Sequence, residues 1–155
     1  MKQNTLISIV VGSASDTPAA AHTQKYLDYF GVSYDFQILS AHRNAEKLSE
    51  YIREAESAGV QVFIAQAGMA AHLPGVMAAQ TTRPVIGVPL PNSALNGIDA
   101  LLSEVQMPSG IPVAVMAIGK AGAINAAVLS VEILALTRPD LQEKLLKFRE
   151  MGSKL

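Results

Sequence analysis

The strongest constraint on this chain is an alternation that runs from end to end. Short apolar runs stop at glycine or a polar turn, and each is followed by a stretch with an apolar helical face. Residues 6–11 are apolar and rich in β-branched side chains, broken only by Ser8, and the run stops at Gly12. A strand buried on both faces reads this way. Asp16-Thr17-Pro18 then offers a helix start, Ala19, Thr23, Tyr26, Leu27 and Phe30 fall on one face, and Gly31 supplies the stop. The same two signals recur, predicting strands at 34–39, 60–65, 84–88 and 111–118. Helices are predicted at about 44–58, 70–80, 98–105, 121–136 and 139–151. Strands alternating with helices imply a parallel sheet covered on both faces. Five strands predict a three-layer α/β, flavodoxin-like domain with strand order 2-1-3-4-5, and all 155 residues are expected to form it.

Composition removes several function classes. There are no cysteines, so disulfides, thiolate nucleophiles and cysteine-based metal sites are excluded. The net charge is −1, with no run of like charges, which argues against a nucleic-acid or polybasic membrane surface. No apolar stretch approaches the roughly 18 residues of a membrane helix. Met1-Lys2-Gln3-Asn4 leads into an apolar run too short for a secretory signal, so a cytoplasmic location is expected. Charged residues make up only 16% of the chain, against about 25% in a typical soluble domain. The 121–136 helix is apolar nearly all round. Both features predict a homo-oligomer that hides surface between subunits.

In such a sheet, ligands bind beyond the carboxyl ends of the strands where the strand order reverses. Strand 1 is followed by Gly12-Ser13-Ala14-Ser15-Asp16, strand 2 by Ser40-Ala41-His42-Arg43, and strand 3 by Gly68-Met69-Ala70-Ala71-His72-Leu73-Pro74-Gly75. Hydroxyls and free N–H groups in the first loop suit a phosphate. The loop matches neither a dinucleotide fingerprint nor a Walker loop, and it lacks the acidic pair of a response regulator. Asp16 either accepts from ribose hydroxyls or caps the following helix. Arg43 either forks onto the phosphate or is solvated. His42 is a candidate acid–base group, or a loop histidine bonded to backbone. His72 carries the same alternatives, or caps the helix it starts. His22 is expected on the exposed flank of the first helix. No nucleophilic triad is indicated, and a two-histidine metal site lacks an obvious carboxylate. Glycine-rich loops at 89–97 and 119–122 follow the last two strands.

Several segments occur in order at fitting spacing: GSASD at 12–16, SAHR at 40–43, AGMAAHLPG at 67–75, GVP at 87–89, ALNGIDALLSEVQMPSGIPVA at 94–114 and AIGKAGAINAA at 117–127. Together they resemble the N5-carboxyaminoimidazole ribonucleotide (N5-CAIR) mutase family of purine biosynthesis, over about residues 6–136. A related branch carboxylates aminoimidazole ribonucleotide directly with CO2. It typically has Lys where Arg43 stands and lacks the histidine of AAHLPG, so Arg43 and His72 align this chain with the mutases.

The resemblance implies a cofactor-free, metal-free isomerase acting on a small nucleotide, assembled as a homo-octamer. It assigns Ser13, Ser15, Asp16 and Arg43 to the ribose phosphate and His42 to acid–base catalysis. Ser40 and Ala41 are to line the base. Gly68, Ala70, Ala71, His72 and Leu73 are to shape the carboxylate and CO2 pocket, and the loops after strands 4 and 5 are to close the site. The chain departs from the family pattern at Gln66 and Met69, where small residues are usual, at Leu90-Pro91-Asn92, and in ending at Leu155. The other readings are the direct CO2-dependent carboxylase and a non-catalytic nucleotide-binding module.

Overall fold

Five strands, β1 (Ile7–Val11), β2 (Tyr34–Ile38), β3 (Val62–Gly68), β4 (Val85–Leu90) and β5 (Ala114–Val115), pair in parallel in the order β2-β1-β3-β4-β5. This computed structural model describes residues 4–155, and the expected lead-in at 1–3 lies outside them. The connecting helices are α1 (Thr17–Phe30), α2 (Ala45–Ser57), α3 (Leu73–Ala78), α4 (Ile98–Val105), α5 (Lys120–Ala135) and α6 (Pro139–Glu150). The fold class and strand order are those the sequence predicts.

Two cores form because successive strand side chains point to opposite faces. Ile7, Ile9 and Val11 of β1 join Leu27 and Phe30 of α1, Val131 of α5 and Phe148 of α6 on one face. Val10 joins Leu48 and Ile52 of α2, Met77 of α3 and Ala100 of α4 on the other. Ser8, the polar break in β1, also faces α2. Tyr51 donates to Asp35 of β2 at 2.9 Å, so Ser8 donates to the Tyr51 oxygen at 2.6 Å. Burial raises the Tyr51 phenol pKa, so it stays protonated and keeps α2 fixed to the β1–β2 edge.

The bounds of four expected elements move most. β3 and β4 run further than their apolar runs, with Ala67 and Gly68 still paired to Pro89 and Leu90. The expected 111–118 strand contracts to two paired residues, since Pro112 cannot donate to the ladder. The expected 70–80 helix starts at Leu73, because residues 69–72 form tight turns, with Ala71 N–H on the Met69 carbonyl at 2.9 Å and His72 N–H on that of Ala70 at 2.8 Å. α5 is apolar nearly all round, as read, and it packs against both α1 and α6. Among the described residues, no helix is long and apolar enough to cross a membrane.

Candidate active site

The loop leaving β1 is shaped by its hydroxyls. Ser13 is extended, and its Oγ accepts from Ser15 N–H at 3.4 Å and Ser15 Oγ at 3.1 Å. This closes a 3-10 turn at Ala14–Asp16 and delivers Asp16 to the start of α1. Asp16 makes no side-chain capping bond there. Asp16 as a residue is 5% exposed, and its Oδ1 accepts from Asn92 Nδ2 at 2.7 Å and from Ser15 Oγ at 3.3 Å. Burial raises its pKa, while hydrogen bonds from Ser15, the Ser13 backbone and Asn92 pull it back.

The loop leaving β2 is organised by Ser40. Its Oγ accepts from the backbone N–H of His42 at 3.3 Å and of Arg43 at 3.2 Å, turning both side chains outward. The Arg43 guanidinium has no protein partner among the described residues, so its donors stay available. His42 Nε2 lies 2.8 Å from His72 Nδ1, with the rings edge-to-face at 4.9 Å and 78°. His72 occupies the cap position of α3 but makes no side-chain cap bond. The structure thus chooses a pairing that neither isolated histidine suggested.

This pair has a defined chemical capacity. One nitrogen of the contact donates and the other accepts, and an added proton makes an imidazolium hydrogen-bonded to a neutral imidazole. His42 Nδ1 has no protein partner among the described residues, so it can serve an incoming ligand. Two hydrogen-bonded imidazoles can pass a proton between them and exchange it with a ligand.

The three loops meet in one cleft of about 350 Å³, at the point where the order passes from β1 to β3. Ser13, Ser15, Asp16, Ser40, Ala41, His42, Arg43, Gly68, Ala70, His72 and Leu73 all line it. Ala71 does not: it is buried in the core on the α2 face, where its methyl packs beneath the turn. The cleft also takes in Gly12, Ala67, Met69 and Asn92. Met69 sits in the left-handed region with φ 56° and is 63% exposed, at the cleft mouth. Asn92 is the residue the sequence reading missed. The sequence marked it only as part of the Leu90-Pro91-Asn92 departure in the loop after strand 4, with no role of its own.

The loop after β5 does not reach this cleft. Gly119 and Lys120 line an adjoining cavity of about 270 Å³ with His22, which is partly buried there. Among the described residues, no three His, Cys, Asp or Glu side chains gather into a group that could hold a metal ion.

A family model described as AIR carboxylase matches residues 6–154. The chain is 51% identical over 144 residues to an N5-carboxyaminoimidazole ribonucleotide mutase of Pseudomonas aeruginosa, covering 93% of this chain and 88% of that protein. It is 54% identical over 144 residues to a protein of the same description from Pyrococcus abyssi, covering 93% and 82%. The crystal structure of Treponema denticola PurE superposes with a TM-score of 0.87 at 29% identity, covering 96% of this chain and 91% of that one.

Proposed function

This chain belongs to the AIR carboxylase family, and we propose that it is an N5-CAIR mutase, converting N5-CAIR to 4-carboxyaminoimidazole ribonucleotide. The observation that carries the proposal is the His42–His72 pair, held at 2.8 Å in the same cleft as the hydroxyl-rich turn and Arg43. Ser13, Ser15, Asp16 and Arg43 bind the ribose phosphate: the guanidinium and the turn take the phosphate, and Asp16 accepts from a ribose hydroxyl. Ser40 and Ala41 line the base. Gly68, Ala70, His72 and Leu73 form the wall where CO2 is held, and Ala71 supports that wall from the core.

The reaction follows from one proton. The N5–carboxylate bond breaks, CO2 leaves, and protonated His42 donates to N5, giving aminoimidazole ribonucleotide. C4 of the ring then attacks CO2 and becomes tetrahedral. His42 removes the C4 proton, which restores aromaticity and returns the imidazole to its starting state. Atoms and charge balance without ATP or a cofactor. The cleft must hold CO2 beside C4 between the two steps, so that capture competes with escape.

A single catalytic domain, a cytoplasmic location and assembly into a homo-octamer belong to the same proposal. Support for assembly comes from α4 and the loop before it, where Leu95, Ile98, Leu102 and Val105 are exposed at helical spacing. A species sedimenting at 16.4 kDa would contradict the assembly.

The test of function is a spectrophotometric assay with synthetic N5-CAIR in bicarbonate-free buffer. Turnover there is expected. Turnover only of aminoimidazole ribonucleotide, and only at high bicarbonate, would make the chain a direct carboxylase. No turnover of either, with nucleotide still bound, would make it a binding module.

A further inference from the structure

Resting on that reading, we infer that Asn92 is a positioning residue that orients the Asp16 carboxylate toward the ribose of the substrate. Asn92 lies just past β4, on the far side of β3 from Asp16. It crosses the end of β3 because Gly68 has no side chain: a Cβ there would sit 1.5 Å from Asn92 Oδ1. The amide then reaches Asp16 Oδ1 at 2.7 Å, on the same oxygen that accepts from Ser15 at 3.3 Å. Both donors are thus spent on Oδ1. The carboxylate also takes a backbone hydrogen bond from Ser13, and no side chain among the described residues donates to Oδ2, so Oδ2 is the oxygen left for a ligand hydroxyl.

The same contact divides two cavities. Ser15, Asp16 and Asn92 line both the main cleft and the side cavity. Without the Asn92 donor the carboxylate would be free to rotate toward either. Losing a donor disfavours the ionised form of this partly buried carboxylate. The charged or titratable groups around Asp16 are His42, Arg43 and His72 across the cleft, and His22 and Lys120 across the side cavity. None of the five is hydrogen-bonded to Asp16, so Asn92 and Ser15 are its side-chain anchors.

Steady-state kinetics of Asn92→Ala and Asn92→Asp against pH test the inference. Hydrogen bonds to a charged group are worth enough that an increase in KM of about tenfold is expected for Asn92→Ala. Its kcat is expected to fall by much less. The acid limb of kcat/KM should move to higher pH in both variants, further in Asn92→Asp, where two carboxylates meet. Asn92→Ser, which keeps a shorter donor, should fall between parent and Asn92→Ala. A merely structural residue would lower the amount of folded enzyme but leave KM and the acid limb in place, and that result would overturn the inference. Calorimetric titration of ribose 5-phosphate separates this from the reaction. A parent that binds it but does not turn over N5-CAIR defeats the mutase reading alone, and weaker binding by Asn92→Ala would still support the positioning role. Equal affinity in parent and Asn92→Ala overturns that role, and a parent that neither binds nor turns over defeats both.

Discussion

Glu104 supplies the sharpest test of the physics in this fold. It sits on α4 with 0% exposure, and neither carboxyl oxygen has a hydrogen-bond partner among the described residues. Gly87 of β4 makes the space: a Cβ there would lie 2.5 Å from Glu104 Oε2. Burial pushes the carboxyl up from 4.5 to about 9. Below pH 4.5 the group is protonated in both folded and unfolded chains and costs nothing extra. Between 4.5 and 9 the unfolded chain gives up the proton while the folded chain keeps it. Stability therefore falls as pH rises through that window, by about 1.4 kcal/mol per unit, and levels off above the folded value. At pH 7 the accumulated loss is about 3 kcal/mol, which for a chain of this size is roughly 6–12 °C in Tm.

The perturbation is Glu104→Gln, which removes the titration at nearly constant shape. A second variant, Glu104→Met, also removes the unpartnered polar atoms. Urea unfolding of parent and variants at pH 5, 7 and 8.5, at one protein concentration and ionic strength, reads the difference directly. The stability of Glu104→Gln relative to the parent should rise by about 2.5 kcal/mol from pH 5 to 7, and by about 4.5 kcal/mol by pH 8.5. Glu104→Met should show the same slope, displaced upward. A parent-to-variant difference that is constant across the three pH values would refute the reasoning, since it would mean that the carboxyl already reaches water or a partner.

Further outcomes follow from the structure at the site and in the core. His42→Asn should lower turnover of N5-CAIR by about 10²–10⁴-fold, and His72→Asn should lower it less, because His42 Nε2 loses only its positioning partner. Arg43→Ala should weaken binding of the nucleotide about tenfold or more, measured calorimetrically, through loss of its charged donors. Thr23→Val removes the hydroxyl that donates to the Ala123 carbonyl at 2.9 Å and accepts from Gln66 at 2.6 Å. Leaving both buried partners unmatched should cost about 1–3 kcal/mol in chemical denaturation. Met69→Gly relieves a left-handed backbone at φ 56°, and should raise stability by up to about 1 kcal/mol once the greater freedom of glycine in the unfolded chain is subtracted.

What could be read in the sequence was what local pattern dictates. The runs at 6–11 and 98–105 gave β1 and α4 almost to the residue, because a buried strand and an amphipathic helix each leave a periodic trace. The three loops bearing Ser13, His42 and His72 were expected to converge, because strand order alone puts their ends side by side. Boundaries set by pairing partners were not legible. β3 and β4 lengthen each other through Ala67–Pro89 and Gly68–Leu90, a contact between residues more than twenty apart. The expected packing of α5 against a neighbour was likewise drawn without knowing that α6 folds back onto it.

The side-chain pairings were out of reach for the same reason. Asp16 stood as either a cap or a ligand group, and the structure decides by supplying Asn92, which lies 76 positions away. Gln66 stands where the family pattern has a small residue, and the fold accommodates it by turning its amide to Thr23 at 2.6 Å, into the core on the α1 and α5 side. Its Oε1 is left without a partner among the described residues. A buried amide half satisfied in this way loses much of the stabilisation of its hydrogen bond. Its backbone, however, stays in register, and the Gln66 carbonyl still accepts from Gly12 N–H at 3.3 Å at the base of the serine turn. The substitution therefore falls on stability and leaves the geometry of the cleft intact, because strand alternation sends residue 66 to the core while its neighbours Ala67 and Gly68 carry the cleft wall.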